Sequence, residues 1–246
     1  MCCMNAGNQG CGRKWSRMRI ITDTGTDILD KEAKKLGIEL VAIRSNFTDT
    51  VFSENTEAEF TRFYDKLRQT DTLPVSSQPS PAEFLELFED VKEKQEEVVV
   101  ITISSKLSGT YNGAMLAKDM AEYDNIYVVD SLQASLSERL LVEYAVKLRD
   151  AGMGAKELVR KLEQDRERVI LTGVPSTLLY LKMGGRISPV VAAVGGVIGI
   201  KPVLWLKDGV IESRSKARGM RMAKSGMQSF LKDYEADPAM PVMFAH

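Results

Sequence analysis

Two loops of this 246-residue chain carry hydroxyl groups that are suited to binding a small polar group. Residues 73–80 (LPVSSQPS) place Ser76 in a stretch whose prolines restrict the backbone. Residues 104–111 (SSKLSGTY) follow an apolar run, and Ser108 stands next to Gly109 where a helix is expected to begin. Free N–H groups at a helix start attract negative charge, and a glycine lets a ligand approach the backbone. The second loop therefore favours an anion, whereas a plain helix-capping loop would explain the first loop equally well.

A third loop supplies a cation. Residues 180–188 (YLKMGGRIS) end a predicted short helix with two glycines and present Arg186 on a tight turn. Arg218 follows a predicted hairpin and adds a second cation. Two solvated arginines beside an ordinary helix end would give the same pattern.

Templates for enzyme active sites fit this sequence poorly. The only histidine is His246, so a Ser-His-acid triad has no internal base, and the GxSxG and Walker phosphate-loop spacings are absent. Asp23 and Asp130 could form a carboxylate pair, but each also suits the turn at the end of a strand. A hydrolase or phosphotransferase that uses Ser105 or Ser108 as a nucleophile stays open as the alternative to a binding protein.

The composition is that of an ordinary globular protein, with a formal net charge of −1 that gives no general attraction to nucleic acid or anionic membranes. All cysteines (Cys2, Cys3 and Cys11) lie near the start, which excludes a disulfide framework for the core, and no ligand cluster suggests a metal or cofactor. Residues 1–17 lack the apolar core of a secretion signal and predict a disordered leader. The apolar run 190–200 is too short to span a membrane, so we expect a cytoplasmic protein.

Strands and helices alternate over residues 18–167, which predicts a doubly wound α/β lobe with a parallel sheet. The run 98–103 (VVVITI) has the apolar, β-branched character of a strand buried on both faces of such a sheet. Asp27, Thr56 and Ser80 are predicted to cap helices, with capping boxes at the last two. In this architecture ligands bind beyond the carboxyl ends of the strands, where the serine-rich loops are expected.

Residues 168–246 predict a second, smaller α/β lobe. It contains a short helix over 176–183, a hairpin turn at residues 208–209 (DG) and a helix over 219–234. A final strand is expected at 241–245. Because no helix follows to cover it, we expect this lobe to be incomplete at its C-terminal end.

Five motifs together resemble those of the DegV family of fatty-acid-binding proteins. They hold their order and spacing from Met18 to the end of the chain: ITD at 21–23, SSQPS at 76–80, SSKLSGTY at 104–111, VVDS at 128–131, and Leu181 with GGRIS at 184–188. Each motif is weak alone, but the combination is specific.

The resemblance implies two α/β lobes with one long-chain fatty acid (C14 to C18, such as palmitate) in a tunnel between them. By this resemblance Ser76 and Ser108 bind the carboxylate, and Arg186 and Arg218 contact a fatty acid kinase that converts the acid to an acyl-phosphate. The protein would then be a carrier rather than an enzyme. The family usually ends with an HxGPG motif that this chain lacks, and His246 resembles a different position at the end of a strand.

The physical chemistry of such a ligand places most of the affinity in its tail. Each buried methylene contributes about 0.8 kcal/mol, so a sixteen-carbon tail gives roughly 10 kcal/mol before association costs. The small residues of 190–200 are a candidate tunnel wall, although a tightly packed helix would look the same. A lipid reservoir that serves no kinase is a further alternative.

Overall fold

The computed structural model describes residues 18–70, 72–188 and 199–245. The predicted leader, most of the candidate tunnel wall and His246 fall outside this part of the chain. In the part that is described, no helix has the length and apolar character needed to cross a membrane. The elements of the first lobe are β1 (Met18–Asp23), a 3-10 turn (Thr24–Thr26), α1 (Asp30–Leu36), β2 (Glu39–Val41), β3 (Arg44–Asn46), β4 (Val51–Phe52), α2 (Glu57–Gln69), β5 (Val75–Ser77), α3 (Pro81–Glu93), β6 (Glu97–Thr102), α4 (Thr110–Ala121), β7 (Ile126–Asp130), α5 (Leu136–Asp150) and α6 (Ala155–Asp165).

The second lobe follows a 3-10 turn at Arg166–Arg168, close to the predicted boundary at residue 167, which stays a prediction. Its elements are β8 (Thr172–Gly173), α7 (Leu179–Met183), β9 (Ile200–Lys207), β10 (Val210–Arg218) and α8 (Gly219–Leu231).

The first lobe is built on a parallel sheet in the order β2-β1-β6-β7. Strand β6 lies between β1 and β7, and its side chains alternate between two apolar cores. Val99 and Ile101 pack with α5 and α6, whereas Val98 and Val100 pack with α3 and α4. All four side chains are fully buried, and each contributes about 1.5–3 kcal/mol. The predicted strand buried on both faces is confirmed.

Both predicted helix caps in the middle of this lobe are present. The Thr56 hydroxyl accepts a hydrogen bond from Glu59 N, and the Ser80 hydroxyl accepts one from Glu83 N. Of the two predicted capping boxes, the one at Ser80 is complete, because the Glu83 carboxylate in turn accepts a hydrogen bond from Ser80 N at 2.9 Å. At the start of α2, the Glu59 carboxylate accepts a hydrogen bond from Ser53 N at 2.7 Å and not from Thr56 N. Glu59 therefore fixes the chain that precedes the helix.

A small antiparallel sheet in the order β4-β3-β5 extends the first lobe. Its inner side is an aromatic cluster in which the rings of Phe47, Phe52 and Phe63 meet edge to face at 5.5–5.7 Å. Arg44 ties the sheet to α3, because its guanidinium donates to both carboxylate oxygens of Glu83. This sheet therefore has its own packing and is anchored beside the helix that Ser80 begins.

The second lobe contains an antiparallel sheet in the order β10-β9-β8, with α8 packed against it. Phe230 of α8 meets the Trp205 ring edge to face at 5.4 Å. Asp208 and Gly209 both have positive φ, 48° and 81°, as the tight turn between twisted strands requires. The predicted hairpin is confirmed.

Two predictions about element ends are wrong. Asp27 does not cap α1: it has a left-handed φ of 58°, and its carboxylate accepts from the Ser135 hydroxyl at 2.5 Å. The first turn of α1 is closed by Glu32, which accepts from Leu29 N at 2.9 Å. Residues 241–245 form no strand, because in the described structure they lie outside the sheets and have no neighbouring strand to complete a ladder.

Candidate functional site

The Ser108 loop, defined here as residues 103–109, connects β6 to α4. Its backbone folds into one tight turn, since Leu107 N and Ser108 N both donate to Ser104 O, at 2.9 and 3.0 Å. The Ser108 hydroxyl is half-buried and lies 2.9 Å from the Thr110 hydroxyl. It thus stands at the N-terminus of a 12-residue helix, where the helix dipole favours negative charge.

Ser76 lies in the middle of β5 and is exposed. It pairs with Ser45 of β3, so the two hydroxyls emerge on the same face of the small sheet. The Asn46 side chain holds the opposite face, donating to Val75 O and to the Ser77 hydroxyl at 3.0 Å each. The strand pairing therefore fixes the direction in which Ser76 points, which the sequence alone did not reveal.

Gln78 joins the Ser76 loop to the Ser108 loop. Its side chain fills the space beside Gly109, so that a Cβ on Gly109 would lie 1.9 Å from Gln78 Oε1. Pro79 O lies 3.5 Å from the Cβ position of Gly113, one turn further along α4. The glycine thus allows the first loop to rest on the helix that begins after Ser108, and the structure brings these two predicted loops together.

Arg186 reaches the same place from the second lobe. Its Nε donates to Leu107 O at 3.0 Å, and the guanidinium also donates to Gly184 O. The left-handed φ of 71° at Gly185 makes the turn that aims the side chain in this direction. Arg186 therefore supports the backbone of the Ser108 loop while the residue as a whole stays exposed.

Arg218 lies elsewhere, at the junction of β10 and α8. It is exposed, and no contact in the described structure links it to the three loops. Other exposed cations lie near it in the sequence, namely Arg214, Lys216, Arg221 and Lys224. In the described structure Arg218 is therefore not part of the cluster around Ser108.

The hairpin of the second lobe docks onto the start of the Ser108 loop. The buried Ser104 hydroxyl donates to Gly209 O at 2.8 Å. A Cβ on Gly209 would lie 2.5 Å from Ser104 Oγ and 3.1 Å from Leu132 Cδ2. Contact this close requires glycine at the turn, so the two lobes meet at the carboxyl ends of the central strands.

Two aspartates at the ends of β1 and β7 hold the backbone of the Ser108 loop. Asp23 Oδ2 accepts from Ile103 N at 2.8 Å, and Asp130 Oδ1 accepts from Ser105 N at 3.1 Å. The carboxylate pair considered from the sequence is thus used for backbone contacts that flank β6. The clue in the sequence was that both residues end strands.

A buried acid lies beside Asp23. Burial raises the pKa of Asp23 to about 6, against the opposing effect of N–H donors from Ile103 and Gly25. Glu138 is fully buried, and neither of its carboxylate oxygens has a hydrogen-bond partner in the described structure. Burial, followed by the charges of Asp23 and Asp27, raises the pKa of Glu138 well above its usual value. Burial therefore favours the neutral form of Glu138 next to Asp23.

A cavity of about 250 Å³ opens on the face of the small sheet that carries Ser45. It is lined by four aromatic rings, three carboxylates and several small polar groups. The lining residues are Thr24, Gly25, Asp27, Ile43, Ser45, Phe52, Ser53, Glu54, Asn55, Glu59, Phe60, Phe63 and Tyr64. In the described residues, no group of three or more potential metal ligands is present.

Comparison with protein-family models matches residues 17–246 to the DegV family. The chain belongs to that family. A DegV domain-containing protein of Caldanaerobacter subterraneus subsp. tengcongensis is 31% identical over 221 residues, which cover 90% of this chain and 79% of the relative. Another from Clostridium perfringens is 32% identical over 209 residues, covering 82% of this chain and 72% of the relative. The predicted resemblance is confirmed.

Solved DegV structures share the two-lobed fold. A fatty-acid-binding DegV protein of Thermus thermophilus superposes with a TM-score of 0.78 at 30% identity, covering 88% of this chain and 77% of the other. A stearic-acid-binding protein of Eubacterium ventriosum gives 0.78 at 27% identity, with the same coverage of 88% and 77%. The fatty acid kinase (Fak) B3 protein of Streptococcus pneumoniae, loaded with linoleic acid, gives 0.75 at 27% identity, covering 88% and 78%. The predicted fold class is confirmed.

Proposed function

We propose that this DegV protein binds one long-chain fatty acid, of the C14 to C18 class, between its lobes and holds the carboxylate with the hydroxyls of Ser76 and Ser108. The contact that supports this most directly is the packing of Gln78 against Gly109. It brings the loop of one serine to the helix start of the other. A carboxylate placed there would meet two hydroxyl donors and the positive end of α4.

The similar solved structures support the chemical class of the ligand, because one is a stearic-acid-binding protein and two others are loaded with heptadecanoic or linoleic acid. A long acyl tail leaving water supplies roughly 10 kcal/mol before association costs, and the hydroxyls add at most a few. Affinity therefore depends on the tail, whereas the serines orient the head group.

We extend the proposal to a carrier role in the cytoplasm, in which the bound carboxyl end is offered to a fatty acid kinase for conversion to an acyl-phosphate. The similarity to the Fak B3 protein supports this step. In this proposal Arg186 and the exposed Arg218 contact the kinase. Because Arg186 also donates to Leu107 O, it would connect the kinase surface to the Ser108 loop. In this proposal the protein is a carrier and not the catalyst.

Native mass spectrometry of the purified protein tests the binding step. We expect a co-purifying mass of one C14 to C18 acid, retained in Ser108→Ala and in Ser76→Ala because the tail carries the affinity. Acyl-phosphate formation with an added fatty acid kinase should fall about tenfold in each variant, the effect of one lost hydrogen bond to a charged group. Ser229→Ala, an exposed serine of α8, is the matched control.

Several outcomes would contradict the proposal. An empty protein that hydrolyses or phosphorylates a small substrate without a partner would favour the serine-nucleophile alternative. Bound fatty acid with no acyl-phosphate from any kinase would favour a reservoir. Equal phosphorylation in Ser108→Ala and the unmodified protein would remove Ser108 from the site.

A further inference from the structure

The Ser108 loop is held by carboxylates from the strands on both sides of β6. Asp23 ends β1 and accepts from Ile103 N, whereas Asp130 ends β7 and accepts from Ser105 N. Parallel strands end at the same edge of a sheet, so a short side chain at each outer strand end can reach the backbone that leaves the central strand. The two N–H donors belong to the residues on either side of Ser104.

We propose that Asp23 is a positioning residue for the ligand's carboxylate: by fixing Ile103 it sets where the Ser108 hydroxyl lies, without touching the ligand itself. The link runs through the tight turn of the loop, in which Ser108 N donates to Ser104 O. A shift at Ile103 therefore moves the whole turn and the start of α4 with it. This inference rests on the proposed function, since it assigns Ser108 to the carboxylate.

The two oxygens of Asp23 have separate tasks. Oδ1 accepts from Gly25 N at 2.8 Å and fixes the turn after β1, and Oδ2 accepts from Ile103 N at 2.8 Å and fixes the Ser108 loop. Asp130 is different, because its Oδ1 alone accepts from both Ser105 N and Leu132 N, at 3.1 and 3.0 Å. Asp23→Asn should therefore disturb the Ser108 loop more than Asp130→Asn does, although both substitutions remove one negative charge.

The surroundings make Asp23 sensitive to mild acid. Glu138 from α5 faces Asp23, and Glu138 in turn faces Asp27 after the 3-10 turn and Asp130 from β7. Arg139 faces Asp27. Asp23 Oδ1 and Glu138 Oε2 lie 2.7 and 3.3 Å from the position of a Cβ on Gly25, so the two buried acids lie close together. Since the pKa of Asp23 is about 6, it gains a proton between pH 7 and pH 5, and one of its oxygens then becomes a poorer acceptor.

Amide hydrogen exchange on the ligand-free protein at pH 7.5 tests the role of Asp23 independently of lipid. In Asp23→Asn the amide oxygen can replace only one carboxylate oxygen, and we expect exchange across residues 103–109 to become about tenfold faster, the effect of one lost hydrogen bond. Asp130→Asn keeps the oxygen that accepts both of its bonds and should change this exchange by less than about twofold. Asp150→Asn, at the far exposed end of α5, is the control for a lost surface charge.

The pH dependence separates positioning from a purely structural role. Corrected for the intrinsic chemical rate, exchange of residues 103–109 in the unmodified protein should speed up about tenfold from pH 7.5 to pH 5, while Asp23→Asn stays constant. Palmitate affinity of Asp23→Asn should change less than about twofold, whereas acyl-phosphate formation should fall about tenfold.

Three results would overturn the inference. Exchange in the loop could be unchanged in Asp23→Asn, it could rise equally throughout the lobe, or its pH profile in the unmodified protein could be flat. The last measurement needs no variant, so it can be made even if Asp23→Asn fails to fold. An unmodified protein that takes up no palmitate would instead refute the proposed function, and with it the ligand part of this inference, while the exchange data would still show whether Asp23 holds the loop.

Discussion

The docking of the hairpin at Gly209 can be tested by adding a single methyl group. In Gly209→Ala the new Cβ would lie 2.5 Å from Ser104 Oγ and 3.1 Å from both Leu132 Cδ2 and Lys106 Cγ. Two costs then add. The left-handed φ of 81° penalises any Cβ by about 1–2 kcal/mol, and overpacking in a closed contact adds about 1–3 kcal/mol. We expect the free energy of unfolding to fall by roughly 2–5 kcal/mol.

Gly152 provides a matched control for this substitution. Its φ is 92°, and a Cβ at that position would meet no atom within 4 Å. Gly152→Ala therefore carries only the backbone penalty, about 1–2 kcal/mol. Urea unfolding of both variants should show Gly209→Ala to be the more destabilised, and the difference measures the contact between the lobes.

A double variant identifies the atom responsible. Ser104→Ala alone loses the hydrogen bond to Gly209 O and the one that its hydroxyl accepts from Lys106 N, each worth about 1 kcal/mol. It also removes the oxygen that the new methyl group would strike. The combined variant should be more stable than the sum of the two single changes predicts. Equal destabilisation of Gly209→Ala and Gly152→Ala, or strict additivity in the double variant, would refute the close packing of the hairpin on the first lobe.

Two further predictions concern the cores and the buried acid. Phe84 is fully buried, so Phe84→Ala should lower the free energy of unfolding by about 3–5 kcal/mol, whereas Phe244→Ala, at a side chain that is 86% exposed, should change it by less than about 0.5 kcal/mol; denaturant titration of both decides this. The pKa of Glu138 is raised in the folded state. Its contribution to the free energy of unfolding is therefore complete below its ordinary pKa near 4.5 and is lost as the pH rises towards the folded-state value. Glu138→Gln should therefore flatten the decline in stability above pH 5, and an unchanged slope in urea titrations at several pH values would show that burial does not raise the pKa of Glu138.

Patterns of burial made much of the first lobe predictable. The β6 run is apolar at successive positions because the strand is covered on both sides, and Ser80 with Glu83 forms the reciprocal cap that the motif predicts. Asp208 and Gly209 make the expected turn because few residue pairs accept positive φ. At these positions the residue types that the local structure favours are also the ones that the tertiary structure needs.

Other elements depend on contacts that no local pattern encodes. Strand β3 has the sequence RSN and shows no apolar alternation, because it is held by its neighbours and by Arg44 rather than by its own burial. Asp27 looks like a helix cap, but Ser135, distant in the sequence, engages its carboxylate. Residues 241–245 have the composition of a strand without a partner in the described structure.

The candidate site shows the same division. Motif spacing selected the loops of Ser76, Ser108 and Arg186, and the structure brings these three loops together. Motif spacing could not show that Arg218 is exposed at the end of β10 without a contact to these loops in the described structure, or that Gln78 makes the joining contact. Those facts follow from strand pairing and from a missing Cβ, and both are properties of the assembled fold.

The crowding of contacts around residues 103–109 also determines where this protein can be altered. Five neighbours meet that short stretch (Asp23, Gln78, Asp130, Arg186 and Gly209), so an inserted residue there would disturb all of them together. The turn between α5 and α6 is the opposite case, because Cβ positions on Gly152 and Gly154 face open space. A fluorescent label, an affinity tag or a circular-permutation break belongs in that turn, at the end of the lobe away from the serines.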